Sequence, residues 1–338
     1  MPLLQRLKKL FFKNKEYQAL YQQADEFHRS GNYEEAIKIY DKLITLIPKN
    51  AELYWQKTEA LFFLEDREED LLKVIDKAIN FSKDSKYLND DIIFAVKGDI
   101  LFEVKKYDLA ILAFNNRIKK HPLDPYNYYK ISESLFKISE YEQALEYINK
   151  AIKLPPNTET KYLYWRFYAC QAEILKELGK IEEALVACDN AIELGGAYSY
   201  HQKAVILDEI GKYSEAIICL NKGIMQYPLY DLEICVQLKA KILCKLNKYD
   251  EALETLRNNK NFDTPYSEIL TEELIYILEK ADKYEELLAE YDRLIMNDPA
   301  NAKLYDRKGM LFEKLGRLDE AAEYYNKMID VKRRNKEF

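Results

Sequence analysis

No apolar run in this 338-residue chain is long enough to span a membrane. The N-terminus lacks the uninterrupted apolar stretch and small-residue cleavage site of a secretory signal. Glycine and proline are scarce, nine of each, so a sheet-and-turn architecture is disfavoured and long helices are favoured. There is no C-x-x-C pair, and the five cysteines, Cys170, Cys188, Cys219, Cys235 and Cys244, are odd in number. Free thiols in a reducing, cytoplasmic compartment are the expectation. The formal charge of −7 opposes a general nucleic-acid binder, which needs clustered Lys and Arg.

Catalytic signatures are missing as well. The chain has no G-x-G-x-x-G, no G-x-x-x-x-G-K and no G-x-S-x-G. His28, His121 and His201 each lack a Cys, His or acid set at metal-ligand spacing on the same helix face. Acid pairs such as Glu182-Glu183 and Glu285-Glu286 fall at expected helix starts, where carboxylates favour the helix dipole. The expectation is a non-enzyme with no cofactor and no metal.

What is present is a repeat. "SGNYEEAIKIYDKLITLIPKN" (30–50) returns as "KISEYEQALEYINKAIKLPP", "EIGKYSEAIICLNKGIMQYP" and "KLGRLDEAAEYYNKMIDV". Aligned on one small or apolar residue, the anchors are Ala36, Leu71, Ala110, Ala144, Ala184, Ala216, Ala252, Leu287 and Ala321. They are spaced 35, 39, 34, 40, 32, 36, 35 and 34 residues apart. Each repeat reads as two helices. The first carries residues such as Phe94, Lys97, Gly98, Leu101, and the second triples such as Ala36, Tyr40, Leu43 or Ala144, Ile148, Ala151. Gly31, Gly179, Gly211 and Gly316 fall in the turn between them, where glycine accepts the left-handed conformation. Pro48, Pro122, Pro156, Pro228 and Pro299 stop the second helix. Small residues such as Gly98 and Ala110 let helices approach closely, and only stacking of neighbours completes a core.

These residues resemble the tetratricopeptide repeat (TPR), W-x2-L-G-x2-Y, then A-x3-F, then P. Six repeats place a tyrosine at the start of the second helix: Tyr33, Tyr107, Tyr141, Tyr213, Tyr249 and Tyr284. The departures are Leu71 and Leu287 in place of Ala, longer joints at 82–90 and 156–162, and a short joint ending in Gly195-Gly196. The pentatricopeptide RNA binders have a similar period but lack this Ala and Pro signature. The expected fold is all-α, an α-solenoid of about nine helix-turn-helix repeats over 17–335. The expected repeats are 17–50, 51–85, 91–124, 125–158, 165–196, 197–230, 233–266, 268–301 and 302–335.

The resemblance implies a scaffold or adaptor whose first helices line a concave, partner-binding face. One residue beyond the packing face, an i, i+4, i+7 stripe runs through Tyr21, Asp25, His28, then Trp55, Glu59, Phe62. It continues through Ala95, Asp99, Phe102, then Tyr129, Glu133, Phe136, then Ala169, Glu173, Lys176. It changes character at His201, Val205, Asp208 and at Gln237, Lys241, Cys244. Acids framed by aromatics suit a peptide or helix of a protein partner with basic and apolar side chains. The competing reading is a solvated face whose rings pack between repeats. Relatives that clamp the C-terminal carboxylate of heat-shock chaperones carry Lys, then Asn four residues later, on this stripe. Tyr21 and Asp25 stand there instead, and Asp25 repels a carboxylate.

The two ends add expectations. "MPLLQRLKKLFFKNK" (1–15) places Leu3, Leu4, Leu7, Leu10 and Phe11 on one helical face, with Arg6, Lys8, Lys9, Lys13 and Lys15 supplying +5. Set aside from −7, that leaves −12 for the rest. A capping helix, a membrane-surface helix that would make the chain a membrane-peripheral adaptor, and a targeting peptide are the three readings. Liposome flotation with and without the segment separates the first two. At the C-terminal end the last repeat finishes in "DVKRRNKEF", and with no further helix expected to cover it, Leu311 and Met328 are expected to be partly exposed and open to self-association. A regulatory TPR subunit of a partner enzyme is a further alternative.

Overall fold

The 3.6-residue periodicity becomes eighteen α-helices, with no strand among the described residues. The computed structural model describes residues 15–64, 67–82, 90–156, 160–226, 232–258 and 267–335. The amphipathic segment expected at 1–15 therefore lies outside them, save for Lys15. The chain divides into two compact units, Met1–Ala187 and Cys188–Phe338.

In the first unit, α1 (Lys15–Arg29) and α2 (Tyr33–Leu46) form repeat 1, and α3 (Ala51–Phe62) and α4 (Glu68–Ser82) form repeat 2. Then come α5 (Asp90–Glu103) with α6 (Tyr107–Lys120), α7 (Pro125–Lys137) with α8 (Tyr141–Lys153), and α9 (Tyr164–Glu177). The division falls within α10 (Ile181–Glu193). The second unit holds α11 (Tyr198–Glu209) with α12 (Tyr213–Gln226), and α13 (Leu232–Lys245) with α14 (Tyr249–Asn258). It ends with α15 (Ser267–Lys280), α16 (Tyr284–Asn297), α17 (Ala302–Lys314) and α18 (Leu318–Arg334). Consecutive helices pack on one another from α1 through α9 in the first unit and from α11 through α18 in the second.

The anchors explain why the pairs form. All nine are at most 3% exposed, because at this point the second helix crosses its partner too closely for a large solvated side chain. The six tyrosines are each the first residue of a second helix. The turn before it repeats one backbone device. In repeat 1, Gly31 (φ +77°) donates its N–H to His28 O and Asn32 donates to Phe27 O, at 3.1 and 2.9 Å. These bonds satisfy carbonyls that the end of α1 leaves open. Repeats 3 and 4 close the same way on residues with a Cβ, Lys105 (φ 59°) and Ser139 (φ 64°). A left-handed residue other than glycine costs about 1–2 kcal/mol. Lys105→Gly and Ser139→Gly are each expected to raise stability by about 1 kcal/mol. A thermal melt of either variant that shows no gain contradicts this.

Two ties between repeats went unread in the sequence. In the motif P-x-[N/D]-x-x-x-Y, the tyrosine hydroxyl returns to the proline carbonyl. Tyr54 donates to Pro48 O at 3.0 Å, Tyr128 to Pro122 O at 3.0 Å and Tyr305 to Pro299 O at 3.2 Å. The intervening Asn50, Asp124 and Asn301 cap the next helix by accepting from the backbone N–H two residues on. The second tie starts five residues after the anchor. Asp41 there accepts from Lys57 at 2.5 Å, Asp189 from Lys203 at 2.5 Å, and Asn149 from Gln171 at 2.7 Å. Asp76 pairs with Lys97, and Asp292 with Lys308, in the same places. Each tie joins a second helix to the first helix of the next repeat.

One end expectation is corrected. Leu311 is 4% exposed, because this side of α17 packs with α16 and α18 in one apolar cluster. Exposure falls one residue earlier, on Met310 (59%), and on Leu318 and Ile329. Met328 is half-buried, as expected.

Candidate partner-binding face

All twelve stripe residues from Tyr21 to Phe136 belong to the first compact unit. They separate into two neighbourhoods of different chemistry.

Repeats 1 and 2 build the first. Tyr21 is half-buried on α1 and stacks on Tyr17, with centroids 6.3 Å apart. Burial, then the carboxylates of Glu52, Asp25 and Glu59, push the Tyr21 hydroxyl pKa up. Burial, then Tyr21 and Glu52, push Tyr17 up to about 12. Three acids thus bear on one ring cluster. Asp25 pairs with Arg29 of its own helix at 3.0 Å, an exposed pair worth about 0–1 kcal/mol. Glu59 on α3 differs. It is half-buried and accepts a hydrogen bond from the Trp55 indole one turn earlier. Burial raises its pKa above the usual carboxylate range, against the opposing effects of nearby His28 and of Trp55. Among the described residues it makes no ion pair. His28 itself lies 3.3 Å from the Tyr40 hydroxyl and edge-on to Tyr33. Beyond it the ring surface opens: Phe62 is 43% and Phe63 58% exposed, and Phe63 stacks on Tyr33 at 4.7 Å.

Repeats 3 and 4 build the second. Here the sequence reading missed the decisive residue, Lys130. It sits on α7, 8% exposed, with its ammonium 2.9 Å from Glu133 and 3.7 Å from Asp99. The same ammonium lies 4.0 Å from the Phe102 ring centroid. The carboxylates take one tyrosine each, Asp99 from Tyr126 at 2.8 Å and Glu133 from Tyr129 at 2.6 Å. Burial still holds the Asp99 pKa above its usual range, with Tyr126 and Lys130 opposing. Tyr129 is only 7% exposed. Phe102 and Phe136 pack on Tyr107 and Tyr141 of their own repeats, both at 5.5 Å. The chain therefore supplies its own cation where a basic ligand was expected. The Lys130–Glu133 spacing, i and i+3 on one helix, was the available signal.

Further along, Ala169 is buried and Glu173 and Lys176 are half-buried, while the Ala95 side chain lies outside the described set. All five cysteines are buried or half-buried and unbridged. Burial, then Glu133 and Glu173, push the Cys170 thiol up, which leaves it a poor nucleophile. Among the described residues no group of three His, Cys, Asp or Glu could hold a metal ion, and no helix is long and apolar enough to cross a membrane.

The family pattern of the tetratricopeptide repeat matches residues 17–50, 125–158, 197–228 and 302–335, which are repeats 1, 4, 6 and 9. The chain carries tetratricopeptide repeats at these four positions. A TPR repeat-containing protein of Methanocaldococcus jannaschii is 26% identical over 125 residues, 37% of this chain and 21% of that protein. The Hsp70-Hsp90 organizing protein of Triticum aestivum is 25% identical over 203 residues, 58% of this chain and 33% of that protein. The chain thus spans between a fifth and a third of these curated relatives. The apo form of RapI superposes with a TM-score of 0.53 at 16% identity, over 96% of this chain and 99% of that one, which establishes a shared fold.

Proposed function

We propose that this TPR protein is a non-catalytic adaptor whose first unit binds a basic and apolar segment, peptide or helix, of a protein partner across repeats 1 and 2. One observation carries the reading: Glu59 is a half-buried carboxylate, held by Trp55, that makes no ion pair with a Lys or Arg among the described residues. A Lys or Arg from a partner would complete it with a charge-assisted hydrogen bond, while Phe62 and Phe63 offer ring area to the partner's apolar groups. Repeats 3 and 4 then act as a pre-filled flank, since Lys130 already occupies their acids. The same charges oppose a ligand whose recognition rests on a carboxylate, because Asp25, Glu52 and Glu59 converge on Tyr21. A cytoplasmic setting, and a membrane-surface role for residues 1–15, belong to this proposal on the strength of the sequence.

The test is affinity capture with wild type, Glu59→Lys and Glu59→Gln, together with melting curves. Both variants are expected to lose the partner, at least tenfold in affinity for a desolvated charge contact. Glu59→Gln is also expected to melt higher than wild type at pH 7. The folded pKa of Glu59 lies above its ordinary value, so the charged form burdens the fold above that pKa. The burden fades as pH falls toward the unfolded value of about 4.3. The two melting temperatures should therefore converge near that pH. A variant that gains stability while losing binding marks a residue kept for function. An unchanged set of captured proteins removes the assignment of this face.

A further inference from the structure

The second compact unit carries a cleft of about 660 Å³ between α13, the turn that follows it, and α15. Where repeats 1 to 4 place an acid in the middle of the stripe, repeat 7 places Lys241. Lys245 follows one turn later, and Lys280 at the end of α15 also lines the cleft. Lys241 and Lys245 are about half exposed in their side chains. Two carboxylates answer these three ammonium groups, unequally. Asp208 accepts twice from Lys245, at 2.7 and 2.6 Å. Glu273 is buried and stands 3.7 Å from Lys241, beyond hydrogen-bond length. Lys280 makes no ion pair among the described residues; its ammonium lies 5.6 Å from the Tyr276 ring centroid. That ring is 49% exposed at the cleft, and Cys244 contributes to the lining.

The charge pattern opposes that of the first unit. We infer that this cleft docks an acidic segment of a protein partner. Glu or Asp side chains are held by Lys280 and Lys241, and the segment's apolar stems lie on the exposed face of Tyr276. A carboxylate entering here gains charge-assisted bonds from ammonium groups that their own chain leaves incompletely paired. The recognition is local, because the whole chain carries −7 and repels an acidic peptide at long range. The inference is independent of the first unit's face.

The probe is a fluorescein-labelled, C-terminally amidated peptide alternating Glu and Leu, with the Gln-for-Glu peptide as its neutral counterpart. Amidation removes the terminal carboxylate, so side chains alone are read. With the full chain, anisotropy is expected to show the Glu peptide binding at least tenfold more tightly than the Gln peptide, and weakening as salt rises. Lys280→Glu should lower that affinity about tenfold. Lys303→Glu, the same charge change on exposed α17, and Glu59→Lys in the first unit should leave it unchanged. Because Lys280 is exposed and makes no ion pair among the described residues, its variant should melt as wild type does. Equal binding of the two peptides overturns the inference, as does equal loss in the Lys280 and Lys303 variants. Concentration-dependent dimers in sedimentation that Lys280→Glu dissolves would also overturn it, by giving the cleft to a second copy of the chain.

Discussion

Lys130→Met is expected to lower the stability of the first unit by about 2 kcal/mol at pH 7. Methionine keeps the length and apolar stem of lysine, so packing on Phe102 survives and the charge alone is lost. Removing one partner of a fully buried ion pair costs about 3–5 kcal/mol, because the other charge stays behind unpaired. Here two like charges stay behind. They are not fully buried: the Asp99 side chain is 35% exposed and that of Glu133 25%. Each also keeps a tyrosine hydroxyl, from Tyr126 and Tyr129. Both facts reduce the loss.

The pH dependence separates this cause from a packing defect. Asp99 already has a folded pKa above its usual range because of burial, with Tyr126 and Lys130 pulling it back. Without Lys130 it rises further. A carboxyl group whose folded pKa exceeds its unfolded value of about 3.9 destabilises the fold at higher pH and ceases to do so as pH falls through that interval. The gap in urea midpoint between wild type and Lys130→Met should therefore narrow from pH 7 to pH 4.5. A gap that stays constant assigns the loss to packing. The triple variant Lys130→Met/Asp99→Asn/Glu133→Gln should regain most of the stability at pH 7, since neutral groups of the same shape carry no unpaired charge.

Lys130 also shows where reading the sequence stops. The repeat phase was legible because it rests on contacts inside one hairpin. The anchor alanines face their own partner helix, and the turn residues answer to backbone geometry alone, so periodicity and residue size suffice. The third ring of each stripe triple was read instead as binding surface or as packing between repeats, although it meets the tyrosine five residues on within its own hairpin: His28 with Tyr33, Phe102 with Tyr107, Phe136 with Tyr141. Lys130 is different in kind. Its acid Asp99 lies on the previous repeat's first helix, and a stripe read at i, i+4 and i+7 passes over the residue beside Tyr129. Charge compensation between stacked repeats depends on which turn faces which. That register is tertiary, set by ties such as Asp41–Lys57. For the same reason Glu59 looked equivalent to Asp99 and Glu133 in one dimension, although Lys130 pairs with both of those and no lysine among the described residues pairs with Glu59. At the other end, Leu311 and Met310 are neighbours in sequence with opposite fates. One side of α17 packs on α16 and α18 and the other faces outward.

Gly98→Leu is expected to cost about 3 kcal/mol, the upper part of the range for overfilling a packed interior. A Cβ at Gly98 would stand 2.6, 2.7 and 2.9 Å from three carbons of the Phe114 ring. Phe114 is 0% exposed, so the ring has no solvent side to swing into and α5 itself must move from α6. Gly309 presents nearly the same approach, 2.7 Å to Tyr325. That ring is half-buried on α18, its hydroxyl held only by an exposed bond to Glu313 at 2.8 Å. It can turn outward. Alanine in a helix interior gains about 0.5–1 kcal/mol over glycine. Gly309→Ala should therefore be near neutral, while Gly98→Ala should still destabilise by about 1–2 kcal/mol. The cause can be isolated by a second change. Phe114→Leu alone leaves a cavity and destabilises, but in the Gly98→Ala background it removes the clashing ring edge, so the double variant should be more stable than the two single losses added together. Strict additivity in chemical denaturation would mean that Gly98 is not there to admit Phe114, and that the close approach of α5 and α6 has some other origin.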